Sequence, residues 1–146
     1  MKRTSQIICS VFTLALILGA CAKYEDGPGL SFRSRYDRVV NNWQPEVVLQ
    51  DGDDYTYFYE DFSVEFGQDG QFTITDVDDQ DNTTMATGLW ELVNDDDSLR
   101  LLYDDQAISP DREFWKITRL TEEELWVQLT ADSNLRDVRF VPVGSA

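Results

Sequence analysis

From Trp43 onward the chain repeats one pattern: short runs rich in Val, Ile, Thr, Phe, Tyr and Trp, separated by clusters of Asp, Asn and Gly, at a spacing of roughly ten residues. Within the runs apolar and polar side chains alternate. Phe62-Val64-Phe66, Phe72-Ile74, Leu99-Leu101-Tyr103 and Leu125-Val127-Leu129 share one face, with Ser63, Glu65, Arg100 and Gln128 opposite. Period two marks strands with one buried face, and no helical pattern of useful length follows Trp43. Strands are expected at residues 43–50, 61–67, 71–77, 85–93, 98–103, 113–120, 124–130 and 137–143. Gln68-Asp69-Gly70, Asn94 to Asp97 and Thr121-Glu122-Glu123 carry the turn chemistry of hairpins. Eight strands joined in sequence, each with one apolar face, must curl or stack; closure buries that face and removes both edges. The expected fold is therefore all-β, an eight-stranded antiparallel up-and-down barrel. A two-sheet β-sandwich is the alternative, because strand number and alternation are common to both.

Ahead of the strands, Phe32, Tyr36, Val39 or Val40, and Trp43 recur at helical spacing, which predicts a short N-terminal helix capping the body. Arg33, Arg35 and Arg38 lie elsewhere on that helix, where contact with anionic headgroups near the anchor is one expectation and pairing with local carboxylates the commoner one.

The chain starts with basic Met1-Lys2-Arg3, continues through an apolar run from Ile7 to Leu18, and reaches Leu18-Gly19-Ala20-Cys21. That run falls short of the roughly 20 apolar residues needed to span a bilayer, and reads instead as a secretion signal. Its end resembles the bacterial lipobox. The resemblance implies cleavage before Cys21 and acylation of that cysteine, with acyl chains holding the domain on a membrane. The expected division is a signal peptide at 1–20, a lipidated tether at 21–30 around Gly27-Pro28-Gly29, and a folded domain at 31–146. The expected location is the cell envelope, at the outer membrane, with the leaflet left open.

Processing removes Lys2 and Arg3 and no acid, which leaves 10 cations against 28 acids, a net charge of −18. Such a domain repels nucleic acid. No cation stands between Arg38 and Arg100, while residues 39–99 hold 16 acids, so one half is a concentrated negative field open to cationic partners. Hydration in salty surroundings is the other reading of that acidity. With Cys9 lost and Cys21 acylated no thiol remains, and there is no histidine. Disulfides, soft-metal sites and the commonest general base are excluded together. The expectation is a protein that is not an enzyme and uses no cofactor; paired carboxylates acting on a glycan are the one catalytic alternative. Asp76, Asp78 and Asp81 supply oxygen density of the kind calcium prefers, without matching an EF-hand loop, and turn formation explains most of these aspartates.

Several strings resemble the lipocalin-like lipoproteins of Bacteroidetes bacteria: Lys23 to Gly29, Ser31 with Arg33 and Arg35, Asn42-Trp43, Phe66 with Asp69-Gly70, Gly88-Leu89-Trp90-Glu91, Trp115-Lys116-Ile117 with Arg119-Leu120, and Glu124-Leu125-Trp126. The resemblance implies a cup for a lipid or small molecule. In lipocalins a Gly-x-Trp strand start packs under an arginine from the end of the barrel; here Trp43 and Arg139, or secondarily Arg136, take those places. Asn41 stands where the glycine belongs. By the same analogy Tyr57, Phe58 and Tyr59 form a lid in the long connection after the first strand, with Trp90 as a further ligand contact. The alternative is that these aromatics fill the barrel as core. The expected function is binding of a small apolar ligand; the competing class is an interaction module docking an envelope protein by its acidic face.

Overall fold

In the computed structural model, which describes residues 33–78, 80–105, 112–131 and 133–145, nine strands form one antiparallel sheet. They are β1 (Asn41–Gln50), β2 (Asp53–Asp54), β3 (Ser63–Phe66), β4 (Gln71–Val77), β5 (Thr83–Val93), β6 (Ser98–Tyr103), β7 (Glu113–Leu120), β8 (Leu125–Ala131) and β9 (Asn134–Pro142). From β3 to β9 each strand pairs with its sequence neighbour, and β9 returns to β1 from Trp43↔Pro142 to Gln50↔Arg136. That last ladder closes an eight-stranded barrel and excludes the sandwich. The two-residue β2 is only a hairpin extension of β1. Phe32–Ala146 form one compact unit. The signal peptide, Cys21 and the whole of the tether lie outside the described residues.

Alternation decides which side chains fill the barrel. Val64 and Phe66, Leu99 and Leu101, Leu125 and Val127, and Val138 and Phe140 are buried, each pair two residues apart on its strand. Two irregularities shift the phase. A break in register between Pro45 and Val47 lets β1 turn both Trp43 and Val48 inward, and a second between Ile117 and Arg119 does the same for Ile117 and Leu120. Pro45, which has no N–H to give to a ladder, sits at the first of these.

The turns at one end are tight: 67–70, 94–97 and 121–124 join β3–β4, β5–β6 and β7–β8. Gly70, Asn94, Asp95 and Asp96 adopt positive φ there, as turn residues can. The helix α1 (Arg35–Val39) closes this end. It spans five residues, so Trp43, expected on the helical face, stands on β1 instead. Ser34 caps it, accepting from Asp37 N–H and donating to the Asp37 carboxylate at 2.6 Å, a capping box that fixes the start. The helix stops at Val40, where the chain turns extended to enter β1. Its side chains then reach three turns: Tyr36 Oη donates to Gln68 O at 3.1 Å, Arg38 Nη1 to Leu120 O at 3.1 Å, and Arg35 pairs with Asp97 at 3.5 Å.

The opposite end is open, and its rim is uneven. β1 meets β3 only from Asn41 to Trp43, although it pairs with β9 as far as Gln50. The vacant edge of β1 is taken by the segment after β2. Tyr55 N–H donates to Val48 O at 2.8 Å, and the Thr56 hydroxyl accepts from Val48 N–H at 3.0 Å. A single 3₁₀ turn, Thr56–Tyr59, stands where an extra strand would run.

Candidate ligand-binding cavity

The closed half of the barrel is solid. Trp43, Phe66, Leu99 and Leu125 are essentially inaccessible, and Trp90, 3% exposed, stacks on Tyr36 at 4.6 Å and meets the edge of Phe66 at 5.3 Å. The Trp90 indole N–H donates to Gly67 O at 3.1 Å. This places Trp90 in the base, under the helix, and outside the cavity; the expected ligand contact is a structural one.

Toward the open end the packing stops. A cavity of about 260 Å³ lies inside the barrel, lined by apolar side chains such as Val48, Ile74, Ala86, Leu129 and Val138. Trp115 and Phe140, stacked at 5.7 Å, and Phe62, tilted on Phe140 at 6.5 Å, also line it. Tyr59 contributes from the 3₁₀ turn. Of the three expected lid residues only Tyr59 reaches the cavity; Tyr57 and Phe58 are 71% and 70% exposed. The reason is geometric. A 3₁₀ turn has three residues per turn, so three successive side chains point in three directions, and Tyr59 shares its direction with Thr56, the residue bonded to β1.

Three charged residues and a tyrosine line the same space: Asp76 on β4, Glu113 on β7, Arg136 on β9 and Tyr103 on β6. Sequence reasoning missed Glu113 and Tyr103, although Tyr103 closes the alternating Leu99-Leu101-Tyr103 set. Tyr103 donates to Glu113 at 2.6 Å, and burial, reinforced by the Glu113 charge, pushes the phenol well above its ordinary range. Arg136 Nη2 donates to Gln50 Oε1 at 3.1 Å and its guanidinium rests over the Tyr59 ring at 5.6 Å. Among the described residues Arg136 forms no ion pair with Asp76 or Glu113.

Arg139, expected across Trp43, lies elsewhere. Val138 and Phe140 point inward, so Arg139 points out, where it covers Trp126 at 4.6 Å. Arg119 covers the same indole at 4.9 Å and pairs with Glu124 at 2.7 Å. Trp43 is held instead from the helix, its indole N–H donating to Val39 O at 2.8 Å. The calcium candidates do not converge. Asp76 lines the cavity, whereas Asp78 organises its own turn, accepting from Gln80 N–H and Asn82 N–H at 2.9 Å each. The Asn82 side-chain amide, which donates to Asp78 Oδ2 at 2.9 Å, does most to hold the Asp78 carboxyl below the usual carboxylate range, and the two backbone N–H groups add to it. Asp81 adopts positive φ in the same turn, and no metal-holding group of three occurs among the described residues.

Comparison with solved structures fits this architecture. A lipocalin-like protein from Bacteroides uniformis aligns over 72% of this chain and 98% of its own, with a TM-score of 0.56 at 13% identity. The fold is lipocalin-like. An uncharacterized protein from Bacteroides eggerthii aligns over 70% of this chain and 98% of its own, with a TM-score of 0.53 at 12% identity. No protein-family model matches the sequence, and no curated protein does. At such identities the likeness carries the barrel and nothing about the residues in it.

Proposed function

We propose that this is a non-enzymatic, lipid-anchored protein of the cell envelope, at the outer membrane, whose lipocalin-like barrel takes up a small apolar ligand through its open end. The cavity carries the reading. An eight-stranded barrel can be filled by its own side chains or hold one small ligand; here one half is filled and the other encloses about 260 Å³ with mostly apolar and aromatic walls. Concave, largely apolar sites with a few placed polar groups are the usual form of small-ligand sites. The basic start, the short apolar run and the lipobox-like end at Cys21 support the anchor.

The test uses residues 22–146, which contain the compact unit Phe32–Ala146. Native mass spectra after exposure to membrane extract should show a retained small molecule, and Ala86→Phe, which fills the cavity from β5, should abolish it. An empty spectrum for the parent chain, or retention unchanged by Ala86→Phe, overturns the ligand reading. For the anchor, labelling with a palmitate analogue should mark the full chain and not Cys21→Ser.

One observation favours a second reading. Tyr55, Tyr57 and Phe58 are exposed together, with Phe58 5.9 Å from Tyr55 and 5.8 Å from Tyr57, beside the acidic rim. Such a patch suits a protein partner. In that case Tyr57→Ser with Phe58→Ser abolishes capture of an envelope protein that the parent chain retains.

A further inference from the structure

We propose that the cavity selects an organic cation: a compact apolar body ending in an ammonium group. This rests on the cup reading above and adds a charge to its ligand. The three charged side chains lining the cavity sum to −1, and the one cation among them is already engaged, Arg136 lying against Gln50 Oε1 and the Tyr59 ring. Asp76 and Glu113 are left without a cationic partner among the described residues. Glu113 keeps a second carboxylate oxygen beyond the one that Tyr103 uses.

The walls suit the same ligand. Tyr59, Phe62, Tyr103, Trp115 and Phe140 all line the space, and ring faces attract ammonium groups, most strongly where water is excluded. The approach path agrees as well. Asp51, Asp53, Asp54, Glu60, Asp78 and Asp104 all sit in connections at the open end, against Arg112 as the one cation among the described residues of those connections, and such an excess of negative charge concentrates cations and repels carboxylate ligands. Two donors in the wall, Trp115 Nε1 and Arg136 Nε, lack partners among the described residues, but both are buried atoms, whereas Asp76 is exposed. Size limits the ligand further. At about 30 Å³ for each water-sized group, the cavity takes on the order of ten non-hydrogen atoms.

A matched series of octylammonium, octan-1-ol and octanoate, titrated calorimetrically into the full chain at micromolar concentrations, tests the charge preference. Octylammonium is expected to bind at least about tenfold more tightly than octan-1-ol, with octanoate weakest. Asp76→Asn combined with Glu113→Gln should bring the ammonium-to-alcohol ratio below about threefold, and Asp76→Asn alone, at an exposed position, should lower it part-way if the double variant does not fold. A ratio near one in the parent chain overturns the inference. So does a ratio that survives loss of both carboxylates, which would assign the preference to the diffuse surface field. Octanoate binding best, and lost in Arg136→Gln, overturns it in favour of an anion. Binding of octan-1-ol that Ala86→Phe abolishes keeps the cup reading intact in each of these cases; absence of binding across the series ends both.

Discussion

Trp43 and Val39 are joined by a hydrogen bond from the indole N–H to the helix carbonyl, 2.8 Å long, between two residues with no solvent exposure. The last carbonyls of a helix have no partner within it, and a buried one must find a donor elsewhere. The first barrel strand supplies that donor, so α1 is fastened to the base by the residue it covers. Trp43→Phe keeps most of the apolar surface and removes the donor. The expected loss is about 1–3 kcal/mol in urea denaturation, the cost of leaving a buried acceptor unpaired. A loss within error of zero would mean that water reaches the Val39 carbonyl and that α1 does not seal the base.

The contact of Arg139 with Trp126 is, by contrast, on the outside. Exposed cation–π pairs contribute about 0.5–1 kcal/mol, and this indole holds a guanidinium on either side, with Arg119 at 4.9 Å and Arg139 at 4.6 Å. Arg139→Gln should therefore cost no more than about 1 kcal/mol, and a double-mutant cycle with Trp126→Leu should show coupling. The same substitution should show no coupling to Trp43→Phe. Coupling to Trp43 would restore the arginine-closed base that lipocalins use.

Gly88 permits a close approach that no other residue allows. A β-carbon placed there collides with the Leu102 carbonyl oxygen and lies 2.8 Å from Phe72 Cε1. Phe72 in turn packs edge-on against Tyr103 at 5.1 Å, at the boundary between solid base and cavity. Overpacking of this kind costs about 1–3 kcal/mol. Gly88→Ala should lower the urea midpoint accordingly, and should do so without altering the closed-end contacts of Tyr36, which a near-ultraviolet circular dichroism spectrum of the Tyr36–Trp90 stack reports.

The barrel was legible in the sequence because its signal is periodic. Strand alternation and Asp/Gly turns set all eight barrel strands within a few residues, the largest shift being β9, which starts at Asn134 because it pairs with β8 right up to the turn, Ala131↔Asn134. Parity alone also forbade Arg139 from reaching Trp43: with Val138 and Phe140 inward, residue 139 faces out. What alternation does not carry is height along the barrel axis. Trp90 and Trp115 both point inward, yet one lies in the base and the other on the cavity wall, because that depends on where each strand sits relative to the helix. The lid residues failed for a related reason. The motif Tyr57-Phe58-Tyr59 looks like one apolar surface in a linear reading, and a 3₁₀ turn splits it in three.

Tyr103 ties the cavity to alkaline stability. Its phenol is half-buried and donates to the Glu113 carboxylate at 2.6 Å, and both that burial and the Glu113 charge oppose ionisation, raising its folded value above the ordinary 10.0. Below pH 10 the tyrosine is neutral in both folded and unfolded chains, and its contribution is fully present. Above that, the unfolded chain releases the proton and the folded chain keeps it, so stability falls as pH rises. The urea midpoint of the parent chain should decline through this range, and phenolate absorbance should reveal one tyrosine that ionises only as the fold is lost. Tyr103→Phe should flatten the decline above pH 10 while lowering stability at neutral pH, since Glu113 then loses its donor. A phenol at position 103 that titrates near its ordinary value in the folded barrel would show that water fills the cavity as far as the Glu113 carboxylate.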